Sequence, residues 1–401
     1  MTTSDSKSAP AAQRAMQEFL TLAAAPPAPG AGIPENATPL LKNLWFSWNR
    51  KRIGFAWLLK KRCQRLRPRI QLLLEWALTE CYALSGLPAP ACVDLAVEHA
   101  KKQGGREEAG FINAVLRKLL REAPDAAALE ALLKDAPPAI RCNLPDALYE
   151  RWKAAHGAEW TAQLATLLQQ PAAVTARRRG SLAALPSPLV FEEAAATLQE
   201  SPEEFQPAEF YLQDASTLLA PSLLDPRPGE VIGDLCAAPG GKSVAIAERL
   251  RNQGRLYSFD SAPGRLDRLR ENLAGCPIAV IEAQDAAHPT LPAASLDGVL
   301  LDVPCSNTGV IRRRPDVRRN FSLAHLQKLC KLQREILEGA CQLVKAGGRL
   351  VYSTCSIEED ENILQVQAFL AKHPEFSLEG HLQLYPTESH DGAFAARLVK
   401  R

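Results

Sequence analysis

From residue 210 onward, short apolar runs alternate with stretches whose apolar residues recur at helical spacing. Runs at 231–235, 256–260, 278–283, 296–302, 349–353 and 395–398 predict strands, and 243–252, 264–273, 322–344 and 358–371 predict helices. This rhythm predicts an α/β domain over 210–401, a mostly parallel sheet with helices on both faces. Ligands of such sheets sit beyond the C-terminal strand ends. Before residue 140 the pattern is helical: 14–24, 70–84, 90–101, 109–121 and 125–133, punctuated by Gly86, Pro88 and Gly104-Gly105. In the 110–118 stretch, Phe111, Ala114 and Val115, with Lys118, are expected on one face. Further helices at 145–155 and 158–168 and short strands at 174–180 and 188–191 form a connecting module. The expected organisation is a flexible segment 1–40 ending in the Pro/Gly run at 25–30, an all-α domain 41–140, the module 141–209, and the α/β domain 210–401.

Charge changes this picture at one place. The chain of 401 residues carries a net charge of only +2, yet Lys42, Arg50, Lys51, Arg52, Lys60, Lys61, Arg62, Arg65, Arg67 and Arg69 occur with no acid before Glu75. Trp45, Phe46, Trp48, Phe55 and Trp57 are interleaved. Clustered cations neutralise phosphates and aromatics stack on unpaired bases, so this stretch is the best nucleic-acid surface in the chain; the plainer reading puts the aromatics in the core. Arg177-Arg178-Arg179 is either a second phosphate contact or a charged sheet edge that discourages pairing. Ten cysteines without a C-x-x-C pair favour neither zinc nor a disulfide framework, and no metal site is expected. A polar N-terminus and the lack of a long apolar run lead to the expectation of a cytoplasmic protein with no membrane partner.

The candidate chemistry lies at the strand ends. Gly233-Asp234-Leu235-Cys236-Ala237-Ala238-Pro239-Gly240-Gly241-Lys242-Ser243 reads as strand, tight loop and helix, a geometry that cradles a nucleotide. An ATP-binding P-loop requires glycine where Cys236 stands, and the three glycines of a dinucleotide loop are missing. An S-adenosylmethionine loop or a structural turn remains. Asp260, about twenty residues beyond the loop, suits two ribose hydroxyls, and Asp285 either borders an adenine or forms a turn. Cys305 and Cys355 follow neighbouring strands, and either thiol is activated if Arg312, Arg313, Arg314 or a helix N-terminus lowers its pKa. Methylation at cytosine C5 needs a thiolate to add at C6, an acid near N3 and a means of removing the C5 proton; Cys355, Cys305 and Asp302 are candidates for these parts.

Three long motifs, 234–243, 301–316 and 352–362, resemble the RsmB/Sun/Fmu family of RNA cytosine-C5 methyltransferases. Gln213-Asp214-Ala215-Ser216 and Asp391-Gly392-Ala393-Phe394 add to the likeness. Gly110-Phe111-Ile112-Asn113-Ala114-Val115-Leu116-Arg117 is similar to the signature helix of a NusB-like RNA-binding domain. The resemblance implies a Rossmann-like S-adenosylmethionine-dependent domain and an RNA partner, most readily 16S rRNA; a monomer is expected. It implies cofactor contacts at Cys236, Ala237, Ala238, Pro239, Gly240, Gly241, Lys242, Asp260, Asp285 and Asp302. It makes Cys355 the nucleophile and Cys305 the thiol that assists release. A non-catalytic RNA-binding assembly factor is the alternative. Residues 172–208 match weakly, with Arg-Arg-Arg near 178 where Arg-Val-Asn is usual and no glycine before Gln213-Asp214. Val303 and Ala393 also depart from the commoner residues; these differences bear on RNA placement more than on chemistry.

Overall fold

The structure, a computed structural model, describes residues 9–26, 33–34, 36–84, 86–202 and 204–401, so positions 27–30 of the Pro/Gly run lie outside it. The chain forms two compact units, one reaching Gln170 and completed by Arg314–Ser322, the other built from Pro171–Arg313 and Leu323–Arg401. Among the described residues no helix is long and apolar enough to cross a membrane.

The first unit is helical: α1 (Ala9–Ala24), α2 (Pro39–Arg62), α3 (Pro68–Thr79), α4 (Ala89–Glu122), α5 (Ala126–Leu132), α6 (Pro138–Arg141), α7 (Asp146–His156) and α8 (Ala158–Leu168). Thr38 caps α2 by accepting the Leu41 N–H at 3.2 Å, and Lys60, Lys61 and Arg62 face the negative end of the helix dipole in its last turn. Trp45, Trp48 and Phe55 of α2 are buried with Phe19 and Trp76, so most aromatics of the basic stretch are core; Phe46 and Trp57 pack partly buried against it. Buried Glu75 accepts the Trp48 indole N–H at 2.7 Å, which satisfies that donor inside the core. The 90–101 and 109–121 helices join across a break at Gly105, whose φ of 82° suits glycine. Of the face expected to carry Phe111, Val115 packs partly buried against the core while Phe111 is 39% exposed; Ile112, Leu116 and Leu119, at i, i+4 and i+7, enter the core. α7 and α8 group with this unit rather than with a connecting module.

The second unit opens with a small antiparallel sheet in the order β2 (Leu198–Glu200), β1 (Thr175–Arg178), β3 (Phe210–Leu212). β1 is therefore central, and buried Arg177 points inward to Glu248 at 2.7 Å; it is neither a solvated edge nor a phosphate contact. Residues 188–191 do not form the expected strand. The Leu189 N–H donates to the Asp225 carboxylate at 3.0 Å, and a helix, Phe191–Ala195, follows at once.

The large sheet has strands β4 (Val231–Asp234), β5 (Arg255–Asp260), β6 (Ala279–Ala283), β7 (Leu296–Asp302), β8 (Val344–Thr354), β9 (Phe376–Leu384) and β10 (Ala393–Lys400). Their order is β6-β5-β4-β7-β8-β10-β9, parallel up to β8, with antiparallel β10 and β9 at one edge. Strand order reverses between β4 and β7, which makes that point the crevice where such sheets bind ligands. Successive residues serve opposite faces: Leu301, Leu350, Tyr352 and Phe394 join one core, and Leu300, Val351 and Ala395 the other. Helices Leu323–Cys341 and Ile363–Lys372 cover the first face, and Gly241–Leu250 and Leu266–Asn272 the second.

Candidate active site

The first side of the site grows from β4 and β5. β4 delivers Asp234 into a loop with a cis Ala238–Pro239 bond and Gly240 at φ 114°, after which helix Gly241–Leu250 begins. A Cβ on Gly240 would lie 3.0 Å from Leu269, and one on Gly241 3.3 Å from the Tyr211 hydroxyl, so small residues let the loop seat against its neighbours. Asp260, ending β5, accepts N–H bonds from Ala238 at 3.2 Å and Ala262 at 3.0 Å, with Arg265 at 3.3 Å. It fixes the loop as well as offering its remaining lone pairs to the crevice. Burial lifts the Asp234 carboxyl to about 7 against the pull of its bond from Ser243. Ser243 donates to Oδ2 at 2.6 Å, while Asp234 Oδ1 is buried with no protein partner. Burial and then the charges of Asp234, Asp302 and Asp260 push the Cys236 thiol well up. Asp285 stands at an exposed turn beyond β6, held below the usual carboxylate range first by His288 and then by the Ala287 N–H.

The second side comes from β7 and β8. Lys242 donates to Asp302 Oδ2 at 2.6 Å, and Ser353 donates to Oδ1 at 3.2 Å. Burial works against the Lys242 ammonium, but Asp302 outweighs it and the charge of Cys355 adds, so its pKa ends above the ordinary value. Cys305 and Cys355 lie with their sulfurs 3.2 Å apart. The bond to Cys355, followed by burial, raises the Cys305 thiol well above its usual range. Asn307, in the left-handed region at φ 62°, accepts from the Cys355 thiol at 3.1 Å and donates to the Cys305 carbonyl at 2.8 Å.

Beneath the thiols the two loops are sewn together. Gly309 N–H donates to the Cys355 carbonyl at 3.0 Å, and Gly392 N–H to the Gly309 carbonyl at 2.8 Å. Buried Glu361 accepts the Ser306 N–H at 2.8 Å and the Gln333 amide at 3.0 Å. The three arginines after Cys305 do not activate it. Arg312 donates to the Thr387 and Glu388 carbonyls, Arg313 bridges Asp214 and Asp391 at 2.7 Å each, and Arg314 pairs with Asp316 at 3.3 Å. Lys242, by contrast, is a cation close enough for its charge to interact with that of Cys355.

The structure thus gathers Asp302, Lys242, Cys305 and Cys355, sets the Cys236–Gly241 loop and Asp260 on the neighbouring strand ends, and leaves Asp285 at its exposed turn. Sequence reading missed Asn307, Ser353 and Glu361 as parts of the site. The signal for Asn307 was its place two residues beyond Cys305 in a left-handed turn that asparagine tolerates.

The model of the 16S rRNA methyltransferase RsmB/F family matches residues 221–399, and that of the NusB family matches 31–121. A protein of Bacillus subtilis strain 168 called probable ribosomal RNA small subunit methyltransferase B is 32% identical over 362 residues, covering 84% of this chain and 80% of that one. The ribosomal RNA small subunit methyltransferase B of Vibrio cholerae is 36% identical over 349 residues, covering 79% and 78%. The solved structure of PH0851 is similar at a TM-score of 0.75 and 25% identity, covering 97% of this chain and 98% of that chain. A Rossmann-like sheet with a small-residue loop at its switch point, behind a NusB-like helical region, defines an S-adenosylmethionine-dependent methyltransferase. The unsatisfied Asp234 Oδ1 and the close-seated Gly240-Gly241 turn fit that cofactor. The chain belongs to the 16S rRNA methyltransferase RsmB/F family.

Proposed function

We propose that this chain methylates C5 of a cytosine in small-subunit rRNA through a covalent adduct of Cys355. The observation that carries this reading is the pair of thiols 3.2 Å apart beside the Lys242–Asp302 bond. An enzyme methylating a nucleophilic nitrogen has no use for two thiols, whereas cytosine C5 becomes nucleophilic only after addition at C6. Cys236, Ala237, Ala238, Pro239, Gly240, Gly241 and Lys242 would hold the cofactor, with Asp260 offered to its ribose, Asp285 toward its adenine and Asp302 as a further contact. Bound S-adenosylmethionine supplies an electrophilic methyl group.

The Cys355 thiolate adds to C6, forming the S–C6 bond, while Asp302 stabilises the ring protonated at N3. The C5 made nucleophilic in this way would accept the methyl group that a bound sulfonium cofactor would supply, the C5–CH3 bond forming as the S–CH3 bond breaks and the cofactor leaving as a neutral thioether. Cys305 in its thiolate form then takes the C5 proton, the C5–C6 double bond re-forms as N3 gives up its proton, and Cys355 leaves as thiolate. In the free site the hydrogen bond to Cys355 and then burial hold the Cys305 thiol well above its usual range, and alkylation of Cys355 removes that sulfur's charge from beside it. Extruding a paired base costs a few kcal/mol, which favours an unpaired target cytosine.

Incubating 16S rRNA with labelled cofactor tests the reading. Cys355→Ala should abolish transfer while cofactor binding persists, and Cys305→Ala should accumulate an RNA adduct seen as a retarded band on a denaturing gel. Turnover by Cys355→Ala refutes the nucleophile. Absence of methyl transfer by the wild type leaves an assembly factor.

A further inference from the structure

The helical unit contains a cavity of about 560 Å³ between α2, the turn entering α7 and the returning segment Arg314–Ser322. Its charged lining is Arg52, Lys60, Arg318 and Arg319 against the single carboxylate of Asp146, with the half-buried Trp57 ring on the α2 side. Arg318 is 1% exposed. Its Nη2 donates to the Leu168 carbonyl at 2.8 Å, while Nε and Nη1 are buried without a hydrogen-bond partner. Arg52 adds a further buried nitrogen, Nη1, without a partner, although Glu75 offsets part of its charge.

A guanidinium enclosed in this way is costly unless an anion compensates it, and structural arginines normally have one. Arg318 has the reverse: burial and then the like charge of Arg50 pull its pKa down to about 9. Nothing in the methyltransferase chemistry uses this residue. The forked N–H donors match the oxygens of a phosphate, and Lys60, exposed at the cavity mouth, is placed to meet a second phosphate of the same strand.

We propose that this cavity is a phosphodiester site that grips the backbone of the substrate RNA, Arg318 and Arg52 holding one phosphate inside it and Lys60 the next at its mouth. The assignment rests on the RNA-methylating reading above for its ligand, and on charge and geometry for its place. Contacts of this kind fix register without reading sequence, and each cation that neutralises a phosphate contributes to the salt dependence of binding.

Filter binding of the full-length protein to a 16S rRNA fragment, across a series of KCl concentrations, tests it. Arg318→Gln and Lys60→Ala should each weaken binding about tenfold and lower the slope of log K against log[salt] by about one, with Arg318→Lys recovering part of the loss. Cofactor affinity should stay at the wild-type value in all three. Lys60 is exposed, so its variant reports on the cavity even if Arg318→Gln unfolds. Wild-type slopes in folded Arg318→Gln and Lys60→Ala, with methylation intact, overturn the site. So does inorganic phosphate that raises the wild-type melting temperature through Arg318 while RNA affinity is indifferent to both residues, since the site then takes a free anion. Cavity-dependent slopes in a wild-type protein that transfers no methyl group uphold the site and remove the reaction instead.

Discussion

Gly309→Ala is the sharpest perturbation of the thiol pair that leaves both thiols in place. A Cβ at residue 309 would lie 2.6 Å from the Gly392 carbonyl oxygen and 2.8 Å from the Cys355 carbonyl oxygen. Both obstacles are backbone, so no rotamer change relieves them. Recovering ordinary contact at 3.4 Å needs displacements of about 0.6 to 0.8 Å, comparable with the overpacking that costs roughly 1–3 kcal/mol in well-packed interiors. The same displacement separates the loop carrying Cys305 from the strand end carrying Cys355, since Gly309 N–H is bonded to the Cys355 carbonyl at 3.0 Å. A misplacement of about 1 Å costs on the order of a hundredfold in rate, so a fall of roughly 10- to 100-fold in single-turnover methyl transfer is expected. Cofactor affinity should not change, because the Gly240-Gly241 turn is on another strand end. Calorimetry and equilibrium dialysis alongside the rate measurement separate these effects. A Gly309→Ala protein within threefold of the wild-type rate and melting at the wild-type temperature would refute the claim that this close approach sets the thiol spacing.

Asp234 gives a pH signature. Its folded pKa of about 7 stands above the ordinary 3.8, so the folded state holds the proton more tightly and this contribution to stability is lost as pH rises from about 4 through 7. Acting alone it amounts to roughly 4 kcal/mol; urea melts of Asp234→Asn should lack that slope, and an unchanged pH profile would contradict it. Arg313→Leu strips the shared cation from Asp214 and Asp391, whose side chains are 6% and 2% exposed, and should cost about 3–5 kcal/mol at pH 8. The loss should shrink near pH 5, where Asp391, already lifted by burial to about 6, takes up its proton; a pH-independent loss would count against unpaired charge as the cause.

The strand ends were legible because their information is local. An apolar run ending in an acid, followed by small residues and a helix, announced β4, and 296–302 coincides with β7. β9 was not legible: as an edge strand with Glu379, Gly380 and His381 in its middle it has little alternation to detect. The arginines at 312–314 and 177–179 misled for the opposite reason. Consecutive cations look solvent-facing in one dimension, but Arg177 and Arg313 meet acids at 248, 214 and 391 that only the fold brings within reach. The Cys305 and Cys355 sulfurs were expected to converge from topology, yet the 3.2 Å hydrogen bond between them is a side-chain geometry that no pattern encodes.

The return of Arg314–Ser322 to the helical unit has a consequence for biosynthesis. A ribosome emits α1 to α8 first and then the strands β1 to β7, and only afterwards does it release the piece that carries Arg318 into the helical core. Completion of the first unit is thereby postponed until more than half of the large sheet's strands have been synthesised. Cutting the gene at residue 170 yields one fragment lacking its last packed segment and another carrying that segment without its host.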